Sequence, residues 1–428
     1  MKNTIKDLKT FLILWSTQSL SQLGSAMTGF ALTLWLYEKT GSALQTALLA
    51  VCSYAPYVVM SIFAGALSDR WDKKKVMLVC DTMAACCSVA VLVLLKADLL
   101  LPVHMYILNA LTGLMNTVQQ PASDVAMTMI TPKEYYQKTS GLRSLSASLV
   151  TILNPILATA LYALAGMDIV IYVDLTTFAI AFLSLLSGVK LSVPEKKEEA
   201  EKESFLETAR AGLVCLRKNE LVLVLILFLA GVNFVASAFD AVLPALILPR
   251  KNGGEAVLGM VTSCAGIAMF AGSLIVTVLP APKNRIRVIY LTMLFSLGTE
   301  NFILAFTDWP VLWCVGQIIG WLLVPVMSAN LDVILRTTIP LDMQGRVYSC
   351  RNTLQFFTIP IGLLFGGFMV DDMCEPAMAA APAQGTLVRL FGAGKGSGAA
   401  LMMFILGVLG VGICLGFGRV LRRYRYTE

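Results

Sequence analysis

Long apolar runs alternate with short polar loops along most of the chain, and the alternation predicts helices of bilayer length. Six runs precede a charged stretch near the middle, at 11–37, 42–64, 76–95, 101–130, 144–165 and 168–189. Six follow it, at 221–248, 256–280, 287–307, 309–334, 352–370 and 399–418. A helix crosses a hydrocarbon core of about 30 Å in about 20 residues, so each run is long enough. A backbone in lipid must satisfy its own hydrogen bonds, which makes the runs helices. The expected fold is an all-α membrane protein with twelve transmembrane helices.

Composition supports lipid as the solvent. Of 428 residues, 57% are hydrophobic and 14% charged, against about a quarter charged in a soluble globule. The net charge of +6 does not point to nucleic acid, because the basic residues sit in alternate loops. Of the 33 lysines and arginines, all but Lys39, Lys96, Arg250, Lys251, Arg389 and Lys395 fall on one side when the loops alternate. That bias places both termini in the cytoplasm of a multi-pass protein of the cell membrane. Lys2, Lys6 and Lys9 precede an apolar run too long for a cleaved leader, so an uncleaved first helix is expected.

Ten cysteines and a single histidine, His104, form no C-x-x-C pair and no metal-ligand pattern. They read as small apolar thiols, with no metal and no cofactor implied. The lone histidine also argues against a membrane-bound enzyme.

The charged stretch, Pro194 to Glu203, reads as a solvated linker. Phe205, Ala209, Leu213 and Leu216 follow it at helical spacing, which suggests an amphipathic helix on the membrane surface. The expected organisation is a six-helix bundle over 1–192, a cytoplasmic linker over 193–219 and a second six-helix bundle over 220–428. The halves echo each other. Asp124-Val125 stands before Pro132 as Asp332-Val333 stands before Pro340, and Pro155 corresponds to Pro360.

Polar residues recur at intervals of three and four within four spans. The first has Gln18, Gln22 and Ser25, the fourth Asn109, Thr112, Asn116 and Gln119, the seventh Asn233, Ser237 and Asp240, and the tenth Gln317 and Trp321. Such spacing puts each set on one helix face. The functional reading is a wet cavity; the bland reading is hydrogen bonding between helices. No lysine or arginine lies deep in a span, so multiply anionic substrates are disfavoured. Among the embedded acids Asp174, Asp240 and Glu300, Asp240 is the first choice for exchanging a proton. Asp174 is read as structural.

Gly65-Ala-Leu-Ser-Asp69-Arg70-Trp-Asp72-Lys73-Lys74-Lys75 resembles the loop between helices 2 and 3 of the major facilitator superfamily, with Asp72 where that family usually has glycine. Trp15, Gln18, Ser21, Gly24-Ser25, Trp35-Leu-Tyr37 and Thr40-Gly-Ser42 resemble the first helix of its macrolide-efflux-type exporters. The resemblance implies two pseudo-symmetric bundles, with spans 1, 4, 7 and 10 lining a central cavity. It also implies a cytoplasmic gate built from Gly65, Asp69, Arg70, Lys73, Lys74 and Asp124. Asp69 would meet the start of helix 11, and Asp124 would meet Arg70 or a neighbouring lysine. Asn154-Pro155-Ile-Leu-Ala158 departs from the G-P-x-x-G of drug–proton antiporters; with Pro360 it is read as a hinge of helices 5 and 11. The glycine-rich Gly392 to Gly398 is no phosphate loop, because Arg389 stands at the first glycine and Gly396 follows the lysine.

The function expected is a secondary transporter, acting as a monomer and exporting a hydrophobic or amphiphilic compound by proton-coupled alternating access. Its partners would be a small-molecule substrate, protons and the lipid bilayer. An importer or facilitator of a small metabolite is the near alternative, and a non-transporting receptor or scaffold the one from another class.

Overall fold

Apolar runs in lipid satisfy their backbones only as helices, and the computed structural model shows this throughout. It describes residues 8–70, 72–132, 135–188, 213–278, 280 and 282–424. All regular structure among them is helical. The first half contains α1 (Lys9–Thr40), α2 (Ala43–Arg70), α3 (Lys73–Lys96), α4 (Pro102–Met129) and α5 (Tyr136–Gly188). The second contains α6 (Glu220–Ile247), α7 (Glu255–Val278), α8 (Arg285–Phe306), α9 (Pro310–Leu322), α10 (Val324–Thr338), α11 (Leu341–Phe356) and α12 (Thr358–Phe368). A π-helical turn, Met369–Cys374, then leads into α13 (Glu375–Ala380), α14 (Thr386–Phe391) and α15 (Ser397–Leu421). Among the described residues, eight helices are long and apolar enough to cross a membrane.

Several expected boundaries move for physical reasons. The fifth and sixth spans run together in α5, whose 53 residues would reach about 80 Å if straight. The chain turns at Gly166, with φ 73° and ψ −174°, a backbone region essentially restricted to glycine. A Cβ there meets nothing within 4 Å, so an alanine would cost strain rather than a clash. Gly166→Ala is expected to destabilise the protein by about 1–3 kcal/mol, read as a lower thermal unfolding midpoint in detergent. An unchanged midpoint would show that the turn tolerates a side chain.

The tenth span breaks into α9 and α10 at Leu323. Pro325 has no N–H to offer the Trp321 carbonyl, which accepts instead from the Leu323 N–H. The eleventh breaks at Phe357, three residues before Pro360. Helix α3 begins at Lys73, soon after α2 ends at Arg70. Asp72 caps α3, its Oδ1 accepting from the N–H of Lys74 (2.9 Å) and Lys75 (3.2 Å). Where the family pattern has glycine, this chain uses a helix cap.

Of the expected linker, residues up to 212, including Phe205 and Ala209, lie outside the described residues. Residues 213–218 are helical, with Leu213 exposed and Leu216 buried.

Contacts divide the chain into two units, Met1–Lys39 with Leu48–Glu198, and Thr40–Ala47 with Glu199–Glu428. Apolar burial gives little drive between helices in lipid, so close approach through small residues does the work. In the first unit α3 packs on α4 and α5. A Cβ on Gly113 of α4 would lie 3.1 Å from Ser53 Cα of α2. Two apolar clusters flank this contact, one around Phe11, Leu14, Met77 and Leu185, the other around Met27, Leu36, Met105 and Ile171. In the second unit α6 packs on α12 and α15, and α8 on α9, α10 and α15. The short segment before α2 is fixed there by Asp371, which accepts from Ser42 Oγ (2.5 Å) and from the N–H groups of Ala43 (3.0 Å) and Leu44 (2.8 Å).

Candidate functional site

The polar faces of α1 and α4 open onto one cavity of about 850 Å³ in the first unit, shared with α3 and α5. Gln18, Gln22, Ser25, Asn109, Thr112, Asn116 and Gln119 all line it. The spacing that put each set on one face therefore brings the two sets together. Some are already engaged. Asn109 Nδ2 donates to the Leu49 carbonyl (2.8 Å), and Thr112 Oγ1 to the Leu108 carbonyl (3.0 Å). Gln22 and Asn116 are exposed to the cavity space and make no side-chain hydrogen bond to a described residue. Trp15 and Phe178 add aromatic wall, with Trp15 Nε1 held by Ser146 Oγ at 3.1 Å.

Two buried carboxylates reach this cavity in different ways. Asp174 on α5 is 4% exposed and accepts three hydroxyls: Ser25 (2.9 Å), Thr28 (3.2 Å) and Ser88 (2.8 Å). Asp81 on α3 is 7% exposed and receives only two amides, Gln119 Nε2 at 2.5 Å and Gln18 Nε2 at 3.4 Å. No lysine or arginine among the described residues pairs with either one. The cavity's one basic lining residue, Arg143, pairs with Asp124.

The expected gate is only partly within view. The side chains of Gly65, Asp69 and Arg70, and of helix 11 from 341 to 346, lie outside the described residues. Lys73 is buried, and Lys74 Nζ donates to the Leu186 carbonyl at 3.0 Å. Asp124, expected to meet Arg70 or a neighbouring lysine, has Arg143 as its described partner.

In the second unit the stripes are largely consumed by packing. Asn233 Nδ2 donates to the Gln355 carbonyl (3.1 Å), and Ser237 Oγ bonds back to the Asn233 carbonyl (2.6 Å). Gln317 is 1% exposed, with its Nε2 unpartnered among described residues. The Trp321 side chain hydrogen-bonds the buried Glu300 carboxyl group. Asp240 differs from these. It is exposed on α6 and makes no hydrogen bond or ion pair with a described residue. Pro155 lies inside α5 beside Asn154, whose Oδ1 is buried without a described partner. Pro360 lies inside α12, where Thr358 Oγ1 ties the break to the Ala230 carbonyl at 2.8 Å.

Sequence reasoning missed Asp81. The signal was present, since Asp81 is the one acid within the apolar run 76–95, and an embedded acid marks a functional site by default. Its two amide partners come from α1 and α4, and no spacing within α3 announces them.

A sequence profile of the Major Facilitator Superfamily matches residues 14–363. Macrolide efflux protein A of Streptococcus pyogenes is 25% identical over 365 residues, covering 84% of this chain and 89% of that protein. Multidrug efflux pump Tap of Mycolicibacterium fortuitum is 23% identical over 358 residues, covering 81% and 86%. Among solved structures, the nucleoside transporter NupG aligns with TM-score 0.66 at 15% identity, covering 97% of this chain and 100% of that one. A bacterial homolog of the human lysosomal transporter Spinster, inward-facing and unoccupied, aligns with TM-score 0.67 at 14% identity, covering 99% of each. These solved structures share the fold. The family match extends over most of the chain, and the chain belongs to the Major Facilitator Superfamily, whose members are membrane transporters and not enzymes.

Proposed function

We propose that the protein is a secondary exporter of a hydrophobic or amphiphilic compound in the cell membrane, with both termini in the cytoplasm. The two six-helix halves provide alternating access, driven by protons. The observation that carries this reading is the cavity of the first unit, where neutral polar residues of α1 and α4 converge beside Trp15 and Phe178. A roomy pocket with a few polar anchors and aromatic wall suits an amphiphile of drug size. The efflux proteins named above support export, and the excess of basic residues in alternate loops supports the orientation.

Proton coupling is assigned to Asp240. An acid within a membrane helix is costly against lipid and is retained where it meets water or a partner. Asp240 is exposed, makes no hydrogen bond or ion pair with a described residue, and lies within electrostatic reach of the Glu300 carboxyl group, while Asn233 and Ser237 on the same helix are spent on packing. Asp240→Asn is expected to lower proton-driven dye efflux by at least tenfold, about 1.4 kcal/mol or more on the coupled step. Inverted membrane vesicles with an imposed pH gradient provide the measurement. Wild-type rates in the variant would remove Asp240 from the coupling step. No accumulation in wild-type inverted vesicles across a panel of dyes and antibiotics would count against export itself.

A further inference from the structure

Two buried carboxylates of the first unit, Asp174 and Asp81, lie beside one cavity, and their acceptor positions are filled to different degrees. A carboxylate offers about four lone-pair positions. Asp174 meets three hydroxyl donors at 2.8–3.2 Å, which also tie α1 and α3 to α5. Asp81 meets one close amide, from Gln119, and one long contact of 3.4 Å, from Gln18. Its remaining lone pairs belong to a residue that lines the cavity.

We infer that Asp81, with Gln18 and Gln119, is the binding subsite for the ammonium group of a cationic amphiphile. This rests on the exporter reading and names the class of its substrate. An ammonium group carries up to three N–H donors and needs as many acceptors. Asp81 supplies a charged one from α3, and the flanking amides, whose Nε2 groups hold the carboxylate, each also carry a carbonyl oxygen as a neutral acceptor, one from α1 and one from α4. Hydrogen bonds between ionised partners are the strong ones, more so away from water. The charge balance agrees. Arg143 is taken up by Asp124, and Asp174 already accepts three hydroxyls at ordinary distances, so Asp81 is the charged group in the cavity with the most acceptor capacity left for a ligand. Trp15 and Phe178 offer the apolar body of the ligand its contacts. An anionic head at this position would face a carboxylate and no free cation, which excludes it.

The test uses one fluorophore in two charge states. Dansylcadaverine carries a primary ammonium, and its N-acetyl derivative has nearly the same shape without the charge. Binding of each to purified full-length protein is followed by fluorescence anisotropy. Wild type is expected to prefer the ammonium form by roughly tenfold or more. Asp81→Asn is expected to bring the two probes within about twofold while binding of the acetylated probe persists, which shows that the variant is folded. Asp81→Glu is expected to keep the preference. Equal binding of both probes by wild type, or a preference that survives in Asp81→Asn, overturns the subsite. Export of both probes from proteoliposomes separates the two claims. If the acetylated probe is exported and the charge makes no difference, the subsite fails and the exporter stands. If wild type exports neither probe, the exporter reading fails with it.

Discussion

Replacing Asp174 with alanine is expected to destabilise the first unit by about 3 kcal/mol, enough to lower its thermal midpoint by several degrees and to reduce the amount of folded protein in the membrane. The carboxyl group is a hub between three elements: Ser25 and Thr28 on α1, Ser88 on α3, and its own α5. Alanine leaves three hydroxyl donors facing an apolar gap. Each lost bond to such an acceptor is worth about 1.5–3 kcal/mol in water-soluble proteins, but hydrogen bonds between membrane helices average about 0.6. Serine and threonine can also fall back on the carbonyl one turn earlier in their own helix. These opposing effects bring the sum to about 3 kcal/mol rather than a simple total.

The contact is tight as well as polar. A Cβ on Gly24 would lie 3.0 Å from Asp174 Cα, so α1 and α5 meet almost backbone to backbone at the hub. Asp174→Asn keeps a carbonyl acceptor and is expected to lose less than half as much. Thermal unfolding of the purified variants distinguishes them. An alanine variant as stable as wild type would show that the three hydroxyls do not depend on the hub.

The contrast between Asp174 and Asp81 shows what the chain reveals before it folds. Helical spacing on α1 and α4 identified two polar faces, because residues three or four apart in one helix share a face whatever surrounds them. Their convergence on one cavity followed from the bilayer, which tolerates polar faces only against each other or against water. The helical class was fixed in the same way by the length of the apolar runs. Partners contributed by other helices left no such trace. Asp81 acquires its amides, and Asp174 its hydroxyls, from α1, α3 and α4, dozens of residues away. The seventh span shows the same limit. Asn233 and Ser237 have cavity-like spacing, but Gly362 and Gly366 let α12 come so close that the space is filled by backbone. Breaks inside spans were legible only where a proline or glycine marked them. Gly166 was an ordinary glycine until its φ of 73° showed the chain reversing there.

Arg250→Leu is expected to cost the second unit about 3 kcal/mol as well, and Arg250→Lys to recover less than half of it. Its side chain is 7% exposed and has no counterpart in the sequence pattern, where it counts merely as one of six basic residues on the minority side. In the fold it organises the last loop. Nη1 pairs with Asp308, and Nη2 donates to the carbonyls of Phe391 (2.8 Å) and Gly396 (3.0 Å). The glycine-rich stretch is thereby explained without a nucleotide. Gly392 and Gly396 have φ of 82° and 90°, and a Cβ on either would press on the guanidinium, at 2.9 Å from Nη1 and 3.2 Å from Nε. Leucine would fill much of the volume yet leave two carbonyls without their donor. Lysine restores the charge, but a single ammonium on a flexible stem does not span the three acceptors that a planar guanidinium reaches together. Asp308 is half-exposed and can turn to water, so the loss falls mainly on the backbone of residues 391–396. The measurement is the unfolding midpoint of each variant, together with the rate of proteolysis between 382 and 396. Faster cleavage in the leucine variant with the midpoint unchanged would confine the role of Arg250 to the loop. Neither effect would mean that the glycine-rich segment holds its shape without it.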